Sequence, residues 1–208
     1  MQSFHFDTID STNEAAKRMI EAGRLNGPAY LLAREQTGGK GRHGRIWLSP
    51  RDAGIYLSVV EWPDPAVGTK ATMFTLAAGV ACVEALKETT GVEVKLKPIN
   101  DLYARGAKLG GILTEVVLEL GSVKALIIGV GINVHITDRP LSDDAPRPIC
   151  LEQLMPEARF RKLDHDALVA ALVSRIQAWS GTAGLGEIDA IKTAWEKHKI
   201  PGAACPEA

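Results

Sequence analysis

Between Glu35 and Pro50 the chain reads EQTGGKGRHGRIWLSP, in which Gly38, Gly39, Gly41 and Gly44 are interleaved with Lys40, Arg42, His43 and Arg45 ahead of Trp47. Glycine lets a backbone approach a ligand and take positive φ, and arginine presents a planar fork to oxyanions, so the chemistry this stretch suits is the holding of a carboxylate or phosphate. Residues Gly39 to Gly44 spell G-x-G-x-x-G, the letters of a dinucleotide site. The context is wrong, because that fingerprint opens a helix, and here Pro50 and Gly54 stand where helical turns should continue. Nor does Ser or Thr follow Lys40, as a Walker loop requires. From the loop alone three readings stay open: an anion cradle, a solvated basic loop, and a grip on an RNA backbone.

Further groups with chemical capacity lie downstream. Lys108 precedes LGGILTE, whose paired glycines permit close backbone approach. Asn100, Asp101 and Asn133 offer amides and a carboxylate, and each taken singly reads equally well as a turn residue. The histidines show no metal-ligand spacing, so no metal cage is expected.

These residues need a frame. Phe4, Phe6 and Ile9 mark an extended opening, and DSTNEAAKRMIEAG offers cap residues and then Ala15, Ala16, Met19 and Ile20 at helical spacing up to Gly23. Strands are expected over 29–35 and 54–62, on either side of the glycine loop, and a core helix from about Ala71 to Lys87. VEVKLK alternates as a half-buried strand, DLYARGAKLGGILTEVVLEL folds back at Gly106, and VKALIIGVGINV is apolar enough to lie centrally. The segment 135–148 reads as a surface loop, followed by an Asp-capped helix from DHDALVAALVSRIQAW and a last helix from EIDAIKTAWEKH. Strands first and helices later predict an α+β fold with a mixed, largely antiparallel central sheet and its helices on one side.

Bulk composition narrows the rest. The chain has 208 residues, 46% hydrophobic and 24% charged, with a formal net charge of −1, so one globular domain over 1–208 is expected and nothing global draws it to nucleic acid or an anionic membrane. Cys82, Cys150 and Cys205 are far apart and form no C-x-x-C. That fits a reducing compartment, and the N-terminus shows no secretory signal, so a cytoplasmic location is expected. The most apolar stretch, from Ala71 to Leu86, includes Glu84 and falls short of the roughly 20 residues a membrane span needs.

Taken as a set, DSTN (10–13), Gln36, the glycine loop, KPINDLY (97–103), AKLGGILTE (107–115) and GVGINV (129–134) resemble the biotin protein ligases in order and spacing, from about Phe6 to Asn133. The resemblance implies a class II aminoacyl-tRNA synthetase-like fold. It also implies a reaction joining biotin to ATP, with Mg²⁺, to form biotinyl-5′-adenylate, which is passed to a lysine of the biotin carboxyl carrier protein domain of acetyl-CoA carboxylase. By the same resemblance Ser11, Thr12 and Gln36 line the pocket for the ureido head, with helix capping the competing role for Ser11 and Thr12. Asn13, Gly39, Gly41 and Gly111 belong to the binding surface; Lys40, Arg42 and Arg45 embrace the carboxylate and phosphate; Trp47 supports the adenine side once the loop closes. Lys108 is the catalytic cation beside Arg42, Asp101 helps place Mg²⁺ or takes the carrier lysine's proton, and Asn100 and Asn133 serve the phosphate or ribose.

Two departures stand out: the family's K-W-P-N-D is Lys97-Pro98-Ile99-Asn100-Asp101 here, and Lys40 replaces the usual arginine, so altered ligand affinity is expected. The chain ends about where the family's small C-terminal β domain would begin, and no helix-turn-helix domain precedes Phe4, so no DNA-binding role is expected; relatives include homodimers. The rivals are a lipoate or octanoate ligase or transferase of the same fold, and a ligase-like protein that binds biotin without efficient transfer.

Overall fold

The computed structural model describes residues 1–64, 71–137 and 146–206. In chain order its elements are β1 (Gln2–Phe6), α1 (Thr12–Glu21), β2 (Ala29–Ala33), β3 (Gly54–Glu61), α2 (Ala71–Thr90), β4 (Lys95–Lys97), β5 (Asp101–Ala104), β6 (Ala107–Glu119), β7 (Ser122–Asn133), α3 (Leu151–Leu154), α4 (Glu157–Phe160), α5 (His165–Gly184) and α6 (Ile188–His198). The strands form one seven-stranded sheet in the order β1-β2-β3-β7-β6-β5-β4. The β1–β2 pair is parallel, because α1 carries the chain back between them, and the other neighbours are antiparallel. This is the mixed α+β architecture that the sequence pattern predicts.

Local chemistry explains the tight corners. Arg105 and Gly106 have φ of 49° and 76°, the pair of positive values that a two-residue turn needs to match strand twist, so β5 and β6 close at Gly106 as expected. Asp164 caps α5 by accepting a hydrogen bond from Ala167 N at 2.9 Å. The expected strand VEVKLK pairs only over Lys95–Lys97, although Val92, Val94 and Leu96 are all buried. Most of the expected 135–148 loop, residues 138–145, lies outside the described residues.

The helices do not all lie on one side, and that expectation is corrected. The α2, α5 and α6 helices pack one face of the sheet over Ile55, Leu57, Val59, Ile128, Val130 and Ile132. The α1 helix buries Ala15, Ala16 and Ile20 on the opposite face against Leu31, Val60 and Ile127. The reason is legible in β3 and β7, whose apolar residues run on continuously, as strands covered on both faces require. Among the described residues no helix is long and apolar enough to cross a membrane.

At the far end of β3, Glu61 is mostly enclosed, its Oε1 has no partner among the described residues, and burial pushes its carboxyl up to about 7. A carboxyl raised in the folded state stabilises the fold below its unfolded pKa and loses that contribution as pH rises through the folded value. Stability should therefore fall between about pH 4.5 and 7, by on the order of 3 kcal/mol if the whole shift is expressed. Denaturant melts of Glu61→Gln should show that slope flattened; a slope equal to wild type would reject the assignment.

Candidate active site

The α1 side of the sheet carries, next to that helix, a cavity of about 840 Å³. Its floor is set by register: Tyr56 and Ser58 of β3 face Gly131 and Gly129 of β7, which face Gly111 and Leu113 of β6. Glycines at alternate positions of adjacent strands leave this face without side chains where it would otherwise be filled. The need is steric: a Cβ on Gly131 would stand 2.5 Å from the Trp47 indole, and one on Gly129 the same distance from Asn13 Oδ1.

One wall is the glycine stretch, which forms a hairpin flap. Its base pairs Gln36 N with Ser49 O at 3.1 Å, and Trp47 N meets Gly39 O at 2.9 Å. Gly41 N meets Arg45 O at 2.7 Å below a tip where His43 and Gly44 take positive φ. Gly39 is required by contact, since a Cβ there would lie 2.3 Å from Trp47 O. Two amides of the flap are already bonded, those of Gly38 and Gly41, to Asp10 O and Arg45 O, so the anion cradle read from the sequence rests more on its side chains.

At the α1 end the lining is uncharged and hydrogen-bonding. Thr12 donates to Gln36 Oε1 from both N and Oγ1, at 2.9 and 3.1 Å, and Gln36 Nε2 donates to Ser49 Oγ at 2.9 Å. Ser58 Oγ lies 2.7 Å from Thr12 Oγ1 and 2.5 Å from Asn13 Oδ1. Asn13 Nδ2 donates to Glu115 Oε2 at 2.7 Å. Ser11 is the N-cap of α1, but its side chain makes no capping hydrogen bond, and it lines the cavity with Thr12, Asn13 and Gln36. Capping therefore does not occupy these hydroxyls.

The other end is charged. Lys108 Nζ and Asp101 Oδ1 pair at 2.7 Å, with side chains 22% and 16% exposed, and the ammonium stands 5.6 Å from the centre of the Trp47 ring. Arg42 Nη1 reaches Asn100 Oδ1 at 3.4 Å. Asn100 Nδ2 holds Ile112 O at 2.8 Å. The main chain of Lys108 is clamped by Arg147 O and Ile149 N, and Asn133 Nδ2 donates to the carbonyls of Lys108 and Ile149. Asn133 therefore secures the segment bearing the catalytic candidate. Among the described residues no cluster of three or more His, Cys, Asp or Glu side chains is arranged to hold a metal.

Every site residue read from the sequence except Gly39 lines this one cavity, across chain separations of up to about 120 residues, and Gly39 is the flap position that shapes it. Lys40 differs in its engagement: its ammonium binds Glu14 on α1 at 2.8 Å instead of standing beside Lys108 and Arg42. The site residues named from the sequence did not include Tyr56, Lys97, Gly129 and Gly131, which line the cavity, or Ser58 and Glu115, which hold Asn13. Tyr56 and Ser58 carried no signal; Lys97 and Glu115 lie within quoted motifs, and in GVG the period of two places both glycines on one face of a strand. Of the replaced motif, Lys97 and Pro98 line the cavity. Ile99 packs against the core behind it.

The model of the biotin/lipoate A/B protein ligase family matches residues 5–133. The bifunctional ligase/repressor BirA of Bacillus subtilis is 34% identical over 196 residues, covering 94% of this chain and 59% of that protein. A biotin–acetyl-CoA-carboxylase ligase of Mycobacterium tuberculosis is 36% identical over 176 residues, covering 81% of this chain and 62% of the relative. Among solved structures, a biotin protein ligase from Aquifex aeolicus in complex with biotin and ATP superposes with a TM-score of 0.77 at 27% identity, over 96% of this chain and 78% of that one. The chain spans about half to three fifths of the length of the BirA proteins of Bacillus and Salmonella that it matches.

Proposed function

The chain belongs to the biotin/lipoate A/B protein ligase family, and from that premise we propose that it activates biotin with ATP and transfers the biotinyl group to a lysine of a biotin carboxyl carrier protein domain. The observation that carries this reading is the two-ended cavity: neutral hydrogen-bonding groups of Ser11, Thr12, Asn13 and Gln36 at one end, and Lys108, Arg42, Asn100 and Asp101 at the other. A ureido ring offers one carbonyl and two N–H groups to the first end. A carboxylate meeting a triphosphate needs the cations of the second.

In the first step a carboxylate oxygen of biotin bonds to the α-phosphorus as the bond from that phosphorus to the pyrophosphate oxygen breaks, the electron pair leaving with pyrophosphate. Two anions must be brought together, and fixed cations and donors offset their repulsion while the flap keeps water from the mixed anhydride. Lys108 supplies the charge nearest the reacting atoms and Arg42 its partner from the flap. ATP would enter as its magnesium complex, for which one or two protein carboxylates suffice, and Asp101, at the charged end, would be one to hold it. In the second step the carrier lysine's amine attacks the acyl carbon, the acyl C–O bond breaks, AMP leaves, and Asp101 would take the amine's proton, the alternative to its holding magnesium. Dependence on ATP agrees with a cytoplasmic location.

The polar inner end also weighs against an octanoyl or lipoyl acid, whose apolar tail could use none of the hydrogen-bonding capacity gathered there. Incubation with MgATP and labelled biotin, lipoate or octanoate tests the reading. Biotinyl adenylate and a labelled carrier domain are expected. Adenylate from lipoate or octanoate alone would assign the rival activity, and biotin binding with no adenylate from any acid would reduce the protein to a binder.

A further inference from the structure

The flap is tied to the body on two sides. Toward the charged end, Arg42 reaches Asn100, a contact that gives way if Arg42 turns to a bound phosphate. On the other side Lys40, which pairs with Ile46 across the flap, meets Glu14 Oε1 at 2.8 Å. Glu14 sits in the first turn of α1, immediately after Ser11, Thr12 and Asn13. It is not an isolated surface charge: Lys17 Nζ holds the same oxygen at 3.0 Å and Glu115 Oε1 at 2.5 Å, and Glu115 in turn holds Asn13.

Alternating charges thus run Lys40, Glu14, Lys17, Glu115 from flap to sheet and end on the amide beneath Gly129. From Asn13 the chain of contacts continues through Ser58, Thr12, Gln36 and Ser49 to the carbonyl of Trp47, back on the flap. The two neighbours hold the Glu14 carboxyl below its ordinary range, Lys40 first and then Lys17, so it stays charged at neutral pH. Deleting that charge would leave Lys17 paired with Glu115 but Lys40 without its anchor on α1.

We propose that Glu14 is a positioning residue: its carboxylate holds Lys40 and so keeps the flap down over the activated acid. Glu14 itself touches neither substrate nor the reacting atoms. Lysine serves at position 40 because a single strong contact with Glu14 needs a point charge and no fork. The inference rests on the adenylate-forming reading for its kinetic consequence, while the tie itself is independent of it.

Two measurements decide the matter. Enzyme loaded with biotinyl adenylate is freed of excess substrate by gel filtration and loss of the bound label is followed. Glu14→Gln should lose it about two- to five-fold faster, the range an exposed ion pair supports, with the single-turnover rate of adenylate formation nearly unchanged. Glu14→Gln combined with Lys40→Met should lose it no faster than the worse single variant, since a coupled pair is broken only once. Additive losses, or retention by Glu14→Gln equal to wild type, would overturn the proposal.

The second measurement needs no activity. In unliganded protein, tryptic cleavage after Arg42 and Arg45 should be faster in Glu14→Gln by a similar factor, and equal cleavage rates would overturn the tie. If wild type forms no adenylate yet Glu14→Gln is cleaved faster, the tie stands and the functional reading is what fails.

Discussion

Lys108→Ala is expected to bind biotin within about threefold of wild type while forming adenylate on the order of 10²–10³ times more slowly, the loss typical of removing one preorganised charge or donor from a reacting centre. The ammonium is placed by several independent contacts. Its main chain is clamped between Arg147 and Ile149, its head is 2.7 Å from Asp101, and the Trp47 ring stands 5.6 Å away. None of these contacts belongs to the neutral end that would take the ureido ring, so binding and chemistry should separate in calorimetry and single-turnover assays. Lys108→Arg should not restore the rate, because a planar fork cannot occupy the site of a compact point charge. An adenylation rate within about tenfold of wild type in Lys108→Ala would remove it from the mechanism.

Gly131→Ala should be the second large effect. The added methyl carbon would lie 2.5 Å from Trp47 Nε1 and Cε2, closer than such atoms approach, on a strand paired on both sides, to Tyr56 and Gly111, that cannot withdraw. Either the indole leaves the floor or the sheet distorts, and the flap is the softer element. Overpacking of this kind costs about 1–3 kcal/mol, so apparent ATP affinity should fall by roughly 5- to 150-fold with the thermal unfolding midpoint changed little. Trp47→Ala is the control: with the indole gone, adding Gly131→Ala should do little more. A double variant as impaired as the product of the two singles would place the damage elsewhere.

Gly131 also shows the limits of sequence reading. The strand VKALIIGVGINV is recognisable by its apolar run, and its alternate glycines signal a bare face. That the bare face would receive the indole of Trp47 depends on the flap folding across three strands, which no local pattern encodes. Lys40 is the sharper case. It lines the cavity as expected, but its pairing with Glu14 could not be foreseen, because it depends on α1 packing on that face of the sheet and putting a carboxylate within reach. Likewise the one-sided helix layout failed because segment order carries no information about which face a crossover helix takes.

By itself the sequence determined the seven strands and the long helices to within a few residues, the turn at Gly106 and the cap at Asp164, since these follow from periodicity and backbone freedom, while the short helices α3 and α4 carried no such signal and the site residues were named by resemblance to a family. Only the tertiary structure decided the partners: Lys108 with Asp101, Arg42 with Asn100, Lys40 with Glu14, Trp47 over Gly131. The reason is physical. Ion pairs and steric contacts act over a few ångströms in space, and the residues they join here lie between 7 and 84 positions apart in the chain.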